Sequence, residues 1–261
     1  MSPRRPISSR REELSTVDTL IETIGQREDN RFIRTFNAFA RESAEDLTKT
    51  GSSPSQQTIL NHFRRIEDDL KILYRTAGNI SAQRQFTRLL KGRWQTYETK
   101  DTQQDFDRLL QQFIDAQSFE NGNEIAGTSI NELRKILANG LQEGLSNDEI
   151  ADSIIEKFGE QLSKSRTIRI VRTEIHNVLL FSSLASTQLL NDDLNLGLRK
   201  EWVAVEDERT RVDHMIADGQ IVSMEDRFTV GPDQMLRPGD PSASPGNVIN
   251  CRCALVYIPS Q

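Results

Sequence analysis

Through the first three-quarters of this chain the apolar residues recur at three- and four-residue steps, the spacing of one helix face, and after about residue 200 that recurrence stops. Leu14, Val17, Leu20, Ile21 and Ile24 open the series, and Phe32, Phe36, Phe39 and Ala40 continue it past the charged stretch QREDN. One long bent helix or two helices are expected there. After the break GSSPS at residues 51–55, Ile59, Phe63, Ile66, Leu70 and Leu73 form a second stripe, with His62 one position off it and read as part of a solvated face. Further helices are expected between residues 81 and 97 and around Phe106, Leu110 and Phe113.

Gly122 and Asn123 read as a turn. Ser129 with Glu132, and Ser146 with Glu149, both have the spacing of a capping box, in which hydroxyl and carboxylate satisfy free N–H groups at a helix start. A long helix over about residues 163–190 follows, with the stripe Ile168, Val171, Ile175, Val178, Ala185 and Leu189. Strands are expected at residues 202–205, around Ile221 and Val222, and at residues 254–258. The loop over residues 229–250 carries four prolines, and loops of that length are uncommon in compact domains, so it is expected to be ordered only in an assembly.

The fold class is therefore α+β: a mainly helical N-terminal two-thirds and a small C-terminal antiparallel β-sheet packed on a long helix. Three segments are expected: a basic flexible arm over 1–12, a helical region over 13–125 and a C-terminal domain over 126–261. With 28% charged and 6% aromatic residues, the helices should have solvated outer faces and thin aliphatic cores. A formal charge of -6 argues against a nucleic-acid coat, leaving Arg4, Arg5, Arg10 and Arg11 of the arm as a local contact for nucleic acid or a partner. The opening residues lack the apolar core of a secretory signal, and no run approaches the roughly 18 apolar residues of a membrane span, so a soluble protein made in the cytoplasm is expected.

Both cysteines lie in the final segment. In an extended strand, residues i and i+2 share a face, so Cys251 and Cys253 project together, a geometry suited to a soft metal such as zinc. His214 is the natural third ligand, with Asp213, Asp218 or His176 for a fourth; the competing reading is two small apolar thiols at the start of a buried strand. Arg172, Glu174 and His176 of the long helix, with Asp207 and Arg209 of the acidic turn, read as a structural network. The carboxylates of Glu206, Asp207, Glu208, Asp213 and Asp218 near His214 could also hold magnesium or act as acid and base, although turns and helix N-termini commonly carry such groups.

Four segments in order, the EIA helix at 149–151, the RTE helix at 172–174, WVAVEDERTRVDHMIADGQIV at 202–222 and NVINCRCALVY at 247–257, resemble the phage head morphogenesis proteins similar to the Mu protein F-like minor head protein. The resemblance covers the chain from about residue 130. It implies a minor structural protein of a tailed-phage or prophage head, located in the head interior or portal region after assembly in the host cytoplasm. It also implies contacts with the portal protein, with major capsid or scaffolding protein and with phage DNA, and no membrane during assembly.

Many members of that family carry a Cys-x-x-Cys after a D-x-R-T turn and a His-Pro-x-Cys-x-Cys near the end, a zinc-like set. In this chain Arg211 and His214 stand where the first pair would be, and Val248 and Ile249 replace the His-Pro, which leaves His214, Cys251 and Cys253. A non-enzymatic assembly role is the leading expectation. The alternative is a toxin-like or nucleic-acid-acting enzyme, which requires Arg172, Glu174, Asp207 and His214 to converge on one ligand.

Overall fold

The computed structural model describes residues 9–51, 53–90, 100–158 and 162–260. Five helices come first: α1 (Arg10–Thr50), α2 (Gln56–Leu89), α3 (Lys100–Gln142), α4 (Asn147–Glu156) and α5 (Leu162–Leu194). The remainder is β1 (Leu198–Val203), α6 (Val212–Ala217), β2 (Ile221–Ser223), β3 (Phe228–Val230), β4 (Asp233–Met235), α7 (Pro245–Val248) and β5 (Ala254–Pro259). The chain is mainly helical with a small antiparallel sheet near its C-terminal end, as the periodicity predicts.

Two compact units form. One comprises residues up to Ile24, Tyr74–Gln112 and the residues from Arg172 onward; the other comprises Gly25–Leu73 and Phe113–Val171. The boundaries fall inside α1, α2, α3 and α5.

The second unit is a helical bundle whose core is the expected stripe of Phe32, Phe36 and Phe39 on α1, with Ile66 and Leu70 on α2, Leu133 on α3 and Ile154 on α4. Phe39 also meets Phe158 edge-on, with ring centroids 5.7 Å apart. The expected capping box at Ser146 and Glu149 is present, and Gly144 at φ 74° closes the preceding helix in the left-handed region.

Three local expectations are corrected. Gly122 is no turn: α3 runs through it, and its backbone lies against Glu67 of α2, so glycine marks a close helix crossing. Ser129 is inside the same helix, where its hydroxyl donates to Ile125 O, so its pairing with Glu132 caps nothing. His62 is fully buried, stacked on Phe39 at 4.0 Å and 12°. An imidazole is as flat as a phenyl ring, which lets it stack within the phenylalanine cluster that the stripe analysis placed beside it.

In the first unit the sheet has the order β2-β1-β5, with both pairings antiparallel and Trp202 opposite Leu255. It packs on α5, where Ser183 Oγ lies 3.0 Å from Tyr257 OH. Gly78 of α2 allows a tight approach: a Cβ there would lie 2.6 Å from Leu110 Cδ1 and 3.0 Å from Ser182 Oγ.

The proline-rich loop is ordered by its own residues, contrary to expectation. β3 and β4 pair as a hairpin within it. The Asp240 carboxylate accepts from the Leu236 N–H at 2.7 Å and the Ser242 hydroxyl at 2.7 Å, while buried Arg237 donates to Asn177 Oδ1 at 2.6 Å and to Gly239 O at 3.1 Å. These bonds satisfy polar groups of the segment within the chain and tie it to α5.

The basic arm is also revised. Helix α1 begins at Arg10, whose guanidinium pairs with Glu201 at 2.5 Å and with Asp218, fixing it to the sheet. Arg11 is exposed on the same helix. Arg4 and Arg5 lie outside the described residues. No helix among the described residues is long and apolar enough to cross a membrane.

Candidate metal centre

Six-residue α6 turns His214 inward while Val212, Met215 and Ile216 stay exposed. The two cysteines arrive from elsewhere. Asn250, in the left-handed region at φ 55°, turns the chain into Cys251, and its N–H donates to Thr173 Oγ1 of α5 at 3.1 Å. One turn along α5, His176 Nε2 donates to Cys253 O at 2.8 Å. Residues 251–253 are thus held against the helix just before β5 begins, and both thiols face inward.

His214 Nδ1 lies 3.2 Å from Cys253 Sγ and 3.8 Å from Cys251 Sγ, and the three ligand atoms all lie within 4.8 Å of one another. A tetrahedral zinc with ordinary Zn–S and Zn–N bonds sets its nitrogen and sulfur ligands about 3.6 Å apart, between those two distances. The donor set therefore fits zinc in both chemistry and spacing. All three residues are buried.

The sulfurs are electrostatically unequal. The hydrogen bond from Cys253 holds the Cys251 thiol well below its usual range, against the opposing effect of burial, and the same bond together with burial pushes Cys253 up. The buried Trp202 N–H has no well-formed acceptor among the described residues, yet it lies toward Cys253 and favours its thiolate. The Trp202 ring also meets His214 edge-on at 5.7 Å and 87°.

The expected fourth ligands stand apart. Asp218 accepts from the Ala204 N–H at 2.7 Å and from Arg10, Asp213 lies against Gly231, and His176 is engaged with the Cys253 carbonyl. Arg211, at a cysteine position of the resembling family, donates to Ile249 O at 2.5 Å.

The expected structural network resolves into separate contacts. Asp207 is gripped by Arg252 through two bonds of 2.7 and 2.5 Å, which hold its carboxyl well below the usual range, and it is also bonded by the Arg209 N–H at 3.0 Å and paired with the exposed Arg209 guanidinium at 3.7 Å, the one contact of the expected network that forms. Glu174 accepts from Tyr74 OH at 2.5 Å, and Arg172 is half-buried on α5. Glu174, Asp207 and His214 thus each bond a different partner, Tyr74, Arg252 and the Cys253–Asn247 pair.

Sequence reasoning missed Asn247, Trp202 and Lys200 at this end of the molecule. Lys200 is buried, donates to Leu236 O at 2.9 Å and lies 5.5 Å from the Phe228 ring centroid, and burial pushes its pKa down to about 8. The expected strand began at residue 202, two positions later, so nothing in the sequence set Lys200 apart. Asn247 is the buried residue of α7, and nothing in the sequence separates it from Asn250 three positions on.

Comparison with known proteins places this end of the chain. Residues 131–256 match the family described as Phage Mu protein F like protein. The chain is 30% identical over 135 residues to the Minor head protein GP7 of Bacillus phage SPP1, covering 49% of this chain and 41% of that protein. It is 29% identical over 119 residues to the NAD(+)--arginine ADP-ribosyltransferase EFV of Enterococcus faecalis (strain ATCC 700802 / V583), covering 46% of this chain and 24% of that protein. It thus spans less than half the length of either relative. No solved structure matches significantly. The stretch similar to the Phage Mu protein F-like family, residues 131–256, carries the cysteine pair, His214 and the whole of the helix that supports them.

Proposed function

We propose that the protein is a non-enzymatic minor structural component of a tailed-phage or prophage head, acting in head assembly and in DNA packaging or delivery through contacts with the portal and the major capsid or scaffolding protein. The observation that carries this reading is the match of residues 131–256 to the Mu F-like family, joined by the similarity to a minor head protein. The solvated outer faces of the helices accord with an assembly role. The test is affinity capture of the tagged chain from phage-producing cells, with assembly followed in its absence. Recovery of portal or capsid protein and defective heads are expected; normal infectious heads without the chain, and no portal or capsid protein captured, would overturn the reading.

A second reading concerns the cluster itself: His214, Cys251 and Cys253 hold one zinc ion, which supplies a cross-link between α6 and the segment leading into β5. It is favoured by three buried donors at zinc-like spacing. Because the site forms only in the folded chain, free zinc at 100 times its Kd should add about 2.7 kcal/mol of stability. Urea unfolding with and without a chelator checks this, and equal stability in both would remove the reading.

A further inference from the structure

We propose that Asn247 is the positioning residue of the cysteine–histidine cluster, holding the His214 ring in its Nε2–H tautomer so that the bare Nδ1 is presented to the two sulfurs. The inference rests on the zinc reading for its consequence, but it also makes a claim about the metal-free protein.

A neutral imidazole carries one N–H, and its neighbours decide which nitrogen holds it. His214 Nε2 lies 3.3 Å from Asn247 Oδ1. The oxygen and nitrogen of a carboxamide are told apart by their hydrogen bonds, and here those bonds are decisive. Asn247 Nδ2 lies 3.1 Å from the Val230 carbonyl oxygen and 2.8 Å from Asp233 Oδ2. Both of those groups only accept, because the Ser244 hydroxyl first and the Asn247 amide second hold the Asp233 carboxyl below its usual range, and so ionised. Both amide hydrogens are therefore committed, and the oxygen is the atom turned toward His214.

An oxygen facing Nε2 requires the proton to sit there, since the other tautomer would set two lone pairs against each other inside a buried site. Nδ1 is then unprotonated, 3.2 Å from one sulfur and 3.8 Å from the other. Zinc binds through such a bare nitrogen, and a histidine ligand usually donates its second N–H to an orienting acceptor. A relay of Asp233, Asn247 and His214 thus carries orientation from the β3–β4 hairpin to the cluster. Helix α7 is only four residues long, and Asn247 is its buried residue.

The experiment uses the full, reduced, 15N-labelled chain without metal. Its three histidines give three imidazole patterns in a long-range 1H–15N correlation spectrum, and loss of one pattern in His214→Gln assigns it. The Nε2–H tautomer at His214 is expected, and an Nδ1–H tautomer overturns the proposal. Zinc affinity is then measured by competition with a chromophoric chelator. Asn247→Leu should weaken it about 10- to 100-fold and leave His214 in a mixture of tautomers. Unchanged affinity in Asn247→Leu overturns the proposal alone, whereas a wild-type chain that takes up no zinc overturns the zinc reading. If Asn247→Leu does not fold, the wild-type tautomer still decides.

Discussion

Two buried histidines in one chain have opposite surroundings. His214, in the unit that carries the sheet, has Asn247 on one nitrogen and the cysteine sulfurs on the other. His62, in the helical unit, is equally buried, but neither of its nitrogens has a hydrogen-bond partner among the described residues, and it is held by Phe39 and Phe36 as a flat ring. Burial alone therefore does not make a site. Around His214 the sheet unit supplies polar partners from turns, whereas around His62 the helical unit buries by periodicity and accepts a polar ring that fits the gap.

The largest test of this contrast is Arg237→Met in the sheet unit. It strips a fully buried guanidinium from Asn177 and the Gly239 carbonyl, leaving the nearby buried Asp240 without that cation. A loss of about 3 kcal/mol is expected in urea unfolding. A cost below about 1 kcal/mol, the level of a single ordinary hydrogen bond, would mean that turn-borne partners do not hold this unit.

The helical unit should instead be sensitive to acid. Burial first, then Arg166 and Arg65, push the His62 pKa down to about 3 from 6.5. The unfolded chain binds this proton as pH falls through 6.5, and the folded chain does not until about 3, so stability is intact above 6.5 and declines across that window. By pH 5 the histidine's share of the loss is about 2 kcal/mol. His62→Phe should lose less stability between pH 7 and 5 than the wild type, and parallel pH profiles would refute the assignment.

The smallest effect sharpens the contrast from the other side. Ser146→Ala removes the capping box at the start of α4, whose exposed bonds can be replaced by water, and a cost of about 1 kcal/mol is expected. A cost as large as that of Arg237→Met would show that the helical unit also depends on specific polar partners.

The same contrast explains what was legible in the sequence. The stripes of α1 and α2 and the middle of the α5 stripe at Val171, Ile175 and Val178 were readable because periodic burial is a local property of the chain, although Ile168 of that stripe is exposed, and the thiol pair was readable because residues i and i+2 project together over a short extended span. Gly122 and Ser129 misled because a glycine or serine looks the same in a helix crossing as at a helix end. The ordered loop and Asn247 were hidden for a different reason. Asp233, Ser244 and Asn247 meet across 11 and 14 residues of irregular chain, and no period marks such meetings. His214, Cys251 and Cys253 could be listed together from residue chemistry, while the groups that orient them could not.

The attachment of residues 250–253 to α5 has a consequence for how the cluster can change. Thr173 and His176, three residues apart on one helical face, hold the two ends of that segment, so the gauge of the sulfur pair is cut into a helix 77 residues earlier in the chain. One residue inserted between these two anchors would rotate them about 100° out of line. The sulfurs would then be mis-set by an edit that alters no ligand, and a lineage can retune or retire this centre by slipping a helix while every cysteine stays in place.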